Sequence, residues 1–274
     1  SEKIVDQIRA ITKKLALACG IRGLLNIQYA VRDEHVFVIE LNPRASRTVP
    51  FSSKATGVSL AKYASRIMAG EKISELRAQG LLPDENRTVD YYAVKEAVMP
   101  WSRFPGADSI LGPEMKSTGE VMGIARTFPA AYAKTREAVE NKLPEQGSVF
   151  ISVCDRDKRA IAPVAMALEN LGYGIYTTGG TAKTLRAAGI DCTTVNRISD
   201  GHPNVVDLMR DKTVSFIINT PHGHEAHSDG TKMRAEAVSQ GITCVTAMSA
   251  ATALIQALAA ARKSEPETFA LQDL

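Results

Sequence analysis

The chain has no cysteine pair at C-x-x-C spacing, no excess of either charge, no long apolar run and no internal repeat, and each absence removes a class of protein. Its four cysteines, Cys19, Cys154, Cys192 and Cys244, are scattered, three of them in apolar or strand-like runs. They read as buried free thiols in a reducing compartment, not as a disulfide framework. A balance of 33 basic against 30 acidic residues leaves a net charge of +3, too even for a nucleic-acid surface. The longest apolar stretch, 248–261, contains Ser249, Thr252 and Gln256 and is too short to span a bilayer. No signal peptide is visible, because the chain opens on the amphipathic run from Glu2 to Ala18. A soluble, cytoplasmic protein with no nucleic-acid or membrane partner is expected. With 274 residues, 45% hydrophobic and 23% charged, the chain suits two ordinary domains.

The two halves have different patterns. Ile4, Ile8, Ile11 and Leu15 predict a helix over 3–18, stopped by Gly20. A hairpin follows, then a helix over 59–69, a short helix and polar connection over 71–90, a strand over 89–98 and a helix from Ala130 to Lys142. Pro144-Glu-Gln-Gly-Ser148 reads as a linker, so the domains are expected at 1–143 and 148–274. In the second half, short β-branched runs at 149–154, 174–177, 192–195, 214–220 and 242–245 alternate with helical segments near 158–171, 181–188, 203–211, 231–239 and 249–262. Such alternation predicts an α/β domain with an open, five-stranded, Rossmann-like parallel sheet. Ligands of such sheets bind beyond the carboxyl ends of the strands.

The most informative stretch is Val36-Phe-Val-Ile-Glu-Leu-Asn-Pro-Arg-Ala-Ser-Arg47. As a strand it puts Phe37, Ile39 and Leu41 on one face and Val36, Val38, Glu40 and Asn42 on the other. Pro43 ends the ladder, having no N–H to donate. With 24–31 as partner and a polar turn at Arg32-Asp-Glu-His35, Gln28 falls opposite Glu40. Cross-strand neighbours on one face lie ~5 Å apart. Gln28, Glu40 and Asn42 thus converge, with Arg44 and Arg47 in the following loop. Oxygen donors of this kind suit Mg²⁺ shared with substrate phosphates, and the guanidinium forks suit phosphate, carboxylate or bicarbonate oxygens. A hairpin whose polar face only meets water fits the same spacing.

Glu40-Leu-Asn-Pro-Arg-Ala-Ser-Arg47, with Gln28 upstream, resembles the metal-binding end of an ATP-grasp domain. Asn42 to Val58 resembles the carbamoyl-phosphate synthase large subunit, and the likeness resumes at Val94-Lys-Glu96, Phe104-Pro-Gly106 and Leu111 to Gly123. It implies a C-terminal portion of an ATP-grasp domain (α+β, with its antiparallel hairpin), ending a ligase that makes carbamoyl phosphate from bicarbonate, glutamine-derived ammonia and two ATP. By position, Gln28, Glu40 and Asn42 would ligate Mg²⁺ or Mn²⁺, two ions per ATP site, and Arg44 and Arg47 would contact phosphates and carbamate. The resemblance also implies K⁺, a glutaminase small subunit as partner, and a holoenzyme able to oligomerise. The first half has no nucleotide-binding glycine loop, so the adenine-holding subdomain is expected upstream of Ser1.

A second site is expected where strand 174–177 runs into Thr178-Gly-Gly-Thr181 and a helix. The glycines let backbone N–H groups approach an anion, the helix N-terminus adds partial positive charge, and Thr178 and Thr181 add hydroxyls, Thr181 as the N-cap. Lys158, Arg197, Asn219 and Thr220 follow other strands at the same edge. An ordinary βα turn with a threonine cap is the plainer reading. This half resembles the methylglyoxal-synthase-like domain of the same large subunit, which implies a regulatory site for a nucleotide effector such as UMP or IMP, held by Lys158, Thr178, Thr181, Arg197 and Asn219. Arg197 stands where lysine is usual, and Pro221 where a second threonine hydroxyl is common. The lyases of this fold carry an aspartate where Ser199-Asp-Gly-His-Pro-Asn204 has His202, so a binding domain is expected, not an enzyme. Glu96 and Thr246 match positions contacting an ornithine-type activator.

Two other readings remain. The chain is a stand-alone nucleotide-monophosphate binding module, or His222-Gly-His224-Glu-Ala-His227 is the zinc loop of a hydrolase. Against zinc, Ala226 stands where such enzymes need a carboxylate.

Overall fold

The computed structural model describes residues 1–83, 89–99, 101–103, 115–139, 144–220, 227–263 and 267–273. By packing, the chain divides into two compact units, Ser1–Asp90 with Thr268–Leu274, and Tyr91–Glu267. The linker at 144–148 divides the sequence by pattern; packing divides the chain at Asp90, because the segment after it folds against the later sheet's helices.

The first unit runs α1 (Glu2–Ala18), β1 (Asn26–Arg32), β2 (His35–Asn42), α2 (Thr48–Thr56), α3 (Leu60–Met68) and α4 (Ile73–Ala78). β1 and β2 form the expected antiparallel hairpin, closed by Asp33 and Glu34, both at positive φ (49° and 62°). Positive φ at both central residues is the twist that a two-residue hairpin needs. Gln28 faces Glu40 as predicted, but the register then shifts, so that Tyr29 pairs with Val38 and Ile39 is left over. Beyond this bulge the expected faces exchange: Phe37 pairs with Ala30, on the side of Gln28, and Val38 lies on the other. Thr12 and Tyr29 hydroxyls, 2.7 Å apart, tie α1 to β1. α2 was not foreseen. Its Pro50 sits in the first turn, where the missing N–H costs nothing, and Gly57 at φ 70° ends it.

The second unit begins with β3 (Tyr92–Val98), β4 (Gly119–Ala125) and α5 (Phe128–Ala138). β3 and β4 pair antiparallel. β4 is a second strand that propensity hides, because Gly119 and Gly123 weaken its signal. Gly123 is required by packing: a Cβ there would stand 2.1 Å from the Ala131 carbonyl oxygen of α5.

The rest alternates as predicted: β5 (Ser148–Val153), α6 (Lys158–Asn170), β6 (Gly174–Thr178), α7 (Gly179–Ala187), β7 (Thr193–Val195), α8 (Val205–Arg210), β8 (Phe216–Thr220), α9 (His227–Ser239), β9 (Thr243–Val245) and α10 (Met248–Ala261). The sheet is wholly parallel in the order β7-β6-β5-β8-β9. Side chains alternate across it. Val149, Ile151, Val153, Phe216 and Ile218 bury against α6, α7 and α10. Phe150 and Ile217 bury against α8 and α9 with Leu208, Met209 and Met233. Each such fully buried apolar side chain contributes about 1.5–3 kcal/mol. The linker is anchored: Tyr173 donates to the Pro144 carbonyl, while Arg262 bonds the Glu145 carbonyl and lies 5.1 Å from the Tyr173 ring centre. Among the described residues, no helix is long and apolar enough to cross a membrane.

Gly123→Ala is expected to cost about 1–3 kcal/mol of stability in urea unfolding, as overpacking against backbone does. A change below about 0.5 kcal/mol would mean that α5 can slide on β4.

Candidate functional site

Parallel strands end at one edge, and there the backbone groups past the last ladder bond need other partners. In the second unit, side chains supply them. The Val153 N–H donates to Thr181 Oγ1 (3.3 Å) and the Cys154 N–H to Thr220 Oγ1 (3.1 Å). Asn219 Nδ2 donates to the Ser152 carbonyl (3.0 Å), and the Ser152 and Thr178 hydroxyls lie 3.1 Å apart. The carboxyl ends of β5, β6 and β8 are thereby joined through side chains.

This bonding sorts the predicted residues. α7 starts at Gly179 with Thr178 at its N-cap, so the expectation of Thr181 as N-cap is corrected. Thr181 lies inside the helix, 2% exposed, its oxygen taken by β5. Thr178 makes no side-chain cap bond because its hydroxyl meets Ser152. The first turn of α7 is therefore uncapped, and Gly179 and Gly180 are exposed. Lys158 opens α6, and its Nζ lies 3.6 Å from the place a Cβ on Gly180 would occupy. An ammonium thus stands beside Gly180 in the uncapped first turn of a helix, two sources of positive potential near one another. Lys158 is ion-paired with the exposed Asp155 carboxylate. Asn219 is 9% exposed, and its Oδ1 is buried with no hydrogen-bond partner among the described residues. Arg197 follows β7 at the same edge, exposed.

Sequence reasoning missed Ser152, Cys154, Asp155 and Asp157. The Cys154 thiol donates to Asp157 Oδ2 (3.1 Å), and this bond, with that of Thr220, holds the Asp157 carboxyl below its usual range. The charged run Asp155 to Lys158 just after β5 was the available signal. Elsewhere on this side, His202 Nδ1 lies 2.7 Å from Asp207 Oδ2, so its imidazole is engaged at the start of α8. The Asp207 carboxyl is held low by that bond and by the Asn204 N–H. Burial pushes the Cys244 thiol up to about 11, an inert state. All four cysteines are free.

In the first unit, Gln28 and Glu40 are exposed and Asn42 half-buried. Asn42 Nδ2 donates to Glu40 Oε1 (2.9 Å), which turns the amide oxygen of Asn42 outward from that bond. Three oxygen donors on one face fit a hard divalent cation. Arg44 leaves the strand end, its side chain bonded to the Ala45 carbonyl (3.0 Å), and Arg47 precedes α2. Glu96, on β3, pairs with Arg136 of α5, and Thr246 is exposed just after β9. Pro221, His222, His224, Phe104 to Gly106 and 111–114 lie outside the described residues, as does the His227 side chain. Among the described residues, no cluster of three His, Cys, Asp or Glu side chains is placed to hold a metal.

Residues 1–76 match the family described as carbamoyl-phosphate synthase L chain, ATP binding domain, and residues 160–246 match the MGS-like domain family. The chain is 46% identical over 271 residues to the carbamoyl phosphate synthase large chain of Acidobacterium capsulatum, covering 98% of this chain and 25% of that one. Against the large chain of Pseudomonas syringae pv. tomato it is 46% identical over 274 residues, covering 99% and 25%. Against the carbamoyl phosphate synthase large chain, C-terminal section, of Aquifex aeolicus it is 43% identical over 281 residues, covering 97% and 52%. The chain spans about a quarter of the length of the first two relatives.

Two outcomes test this geometry. Thr181→Val keeps shape but strips the Val153 N–H of its acceptor, and is expected to cost about 1–3 kcal/mol in denaturant unfolding. No loss would mean that Thr181 is not holding the strand end. Because the folded Asp207 carboxyl is depressed, its stabilisation is present above the ordinary carboxylate pKa of 3.8 and lost as pH falls through the folded value. Asp207→Asn should therefore flatten the acid-side fall of Tm; an unchanged acid limb would exclude the His202–Asp207 contact as a stabilising one.

Proposed function

Because this chain belongs to the carbamoyl phosphate synthase large chain family, we propose that it serves an ATP-dependent ligase that makes carbamoyl phosphate, supplying part of one ATP site and a regulatory nucleotide-binding domain. The whole reaction takes bicarbonate, glutamine-derived ammonia and two ATP, with a glutaminase subunit as partner and the cytoplasm as its setting. The greater length of the relatives supports a role for these residues as one part of a longer polypeptide.

On the first unit, Gln28, Glu40 and Asn42 would hold Mg²⁺ or Mn²⁺ through their oxygens. A divalent ion held there would supply positive charge to offset that of substrate phosphates. Arg44 and Arg47, at the end of β2, offer planar forks to the phosphoryl group and carbamate. The Asn42–Glu40 bond orients both donors before any ligand arrives. The sequence match of residues 1–76 to an ATP binding domain supports this assignment.

On the second unit, the domain reads a nucleoside monophosphate. The observation that carries this is the Lys158 ammonium over Gly180 at the uncapped start of α7. The phosphate would take the Gly179 and Gly180 N–H groups, the Thr178 hydroxyl and Lys158, displacing Asp155 from the lysine. Asn219 Oδ1, which has no hydrogen-bond partner among the described residues, would accept from a sugar hydroxyl, and Arg197 would add a cation at the rim. Thr181 shapes the site through β5.

Calorimetric titration with UMP and IMP tests the reading. Saturable binding is expected, weakened about ten- to a hundredfold by Lys158→Ala, since a charge-assisted bond contributes about 1.5–3 kcal/mol. Thr178→Ala should weaken it less, and Asp155→Asn should strengthen it by about two- to fivefold, the strength of a competing surface pair. Affinity indifferent to both Lys158 and Asp155 would place the nucleotide elsewhere.

A further inference from the structure

The largest fully buried side chain among the described residues carries a charge. Arg234 of α9 is 1% exposed. Arginine is rarely taken out of water without groups to receive its five N–H donors. Its Nη2 donates to Thr231 Oγ1, one turn earlier, at 3.2 Å. Its Nη1 lies 2.9 Å from the place a Cβ on Gly230 would take, and Asn219 Oδ1 lies 3.8 Å from that same place. The guanidinium and the amide oxygen at the end of β8 therefore border one space, above the Gly230 Cα. The charge also reaches β9, where it opposes the upward shift that burial gives the Cys244 thiol.

Gly230 is helical, and glycine weakens a helix relative to alanine. Its use here is room. A methyl group would press on a guanidinium that is enclosed on every side and has no solvent to swing into. On the other flank, Asn219 Nδ2 donates to the Ser152 carbonyl (3.0 Å), while Oδ1 is buried with no hydrogen-bond partner among the described residues. The amide is thus set from both ends, its hydrogens toward β5 and its oxygen near a cation. Positive charge offsets part of the cost of burying such an oxygen.

We propose that Arg234 is a positioning residue for the nucleotide site: seated in the notch at Gly230, its guanidinium fixes the sense of the Asn219 amide, and through it the recognition of the ligand's sugar. This rests on the nucleotide reading of the strand edge. The phosphate belongs to the β6–α7 turn and Lys158, on other elements, so disturbing Arg234 acts on the sugar and leaves the phosphate contacts in place.

Calorimetry on the full chain with inorganic phosphate, ribose 5-phosphate and UMP tests it in two variants. Gly230→Ala keeps the charge but displaces it; Arg234→Met removes the charge. Each is expected to weaken ribose 5-phosphate and UMP about tenfold and to change phosphate affinity by less than about twofold. Equal losses for all three ligands would make Arg234 a general source of positive potential and overturn the proposal. So would unchanged affinities in both variants. The ¹⁵N spectrum of the ligand-free chain adds a readout independent of binding: Gly230→Ala should move the Asn219 side-chain amide signals more than those of Gly179 and Gly180. If the unchanged chain binds none of the three ligands, the nucleotide reading falls and this proposal with it. If it binds them and Gly230→Ala leaves the Asn219 signals unmoved, this proposal alone is overturned. Should Arg234→Met fail to fold, Gly230→Ala, a favourable exchange for a helix, still decides.

Discussion

The end of a parallel strand is the constraint on which the second unit is built. β5 lies in the middle of the sheet, and at its carboxyl end the amides of Val153 and Cys154 turn to side chains. Thr181 and Thr220 take them, from α7 and from β8. Asn219 takes the Ser152 carbonyl, and Ser152 meets Thr178. The contacts are buried or half-buried, where a bond left unmade costs more than the bond itself returns. They fix where β5, β6 and β8 stop relative to one another. They therefore fix the position of the glycine turn between β6 and α7, and of Lys158 after β5.

The same bonds decide which groups remain for a ligand. Thr181 is consumed, half of the Asn219 amide is consumed and Lys158 is shared with the exposed Asp155; the uncapped first turn of α7 is not consumed, and Asn219 Oδ1 has no partner among the described residues. What is left is positive or donating at the turn and accepting at β8. A phosphate with a hydroxylated sugar attached has the complementary order of groups. In the first unit the same logic works on a smaller scale: Asn42 spends its amide hydrogens on Glu40, and the oxygens on that face of the hairpin are the groups left for a cation.

Much of this was legible in the sequence because it is local. Short β-branched runs separated by helical ones specify a parallel α/β sheet almost by themselves. The turn at Asp33-Glu34 alone would set Gln28 opposite Ile39, and the bulge at Ile39 brings Glu40 opposite it. What escaped has physical reasons. The bulge at Ile39 changes pairing without changing hydropathy, so alternation runs through it unbroken while the faces exchange. β4 hid behind Gly123, a residue poor in strand propensity but required where α5 approaches. α2 hid behind Pro50, which reads as a breaker yet is harmless in a first turn. The helix start was read three positions late, at Thr181 instead of Thr178, so the bond from Thr181 to the β5 end went unseen. The Glu96–Arg136–Thr243 bridge spans 40 and 107 residues in sequence, and no local periodicity reports contacts of that range.

The central claim is that the β6–α7 turn under Lys158 is an anion site. Its most direct test is an amide chemical-shift titration of the ¹⁵N-labelled chain with inorganic phosphate and then UMP. The largest shifts are expected at Gly179, Gly180 and the start of α6, with UMP extending them to the Asn219 side-chain amide. Shifts concentrated away from these residues, or none on saturation with either compound, would contradict the account.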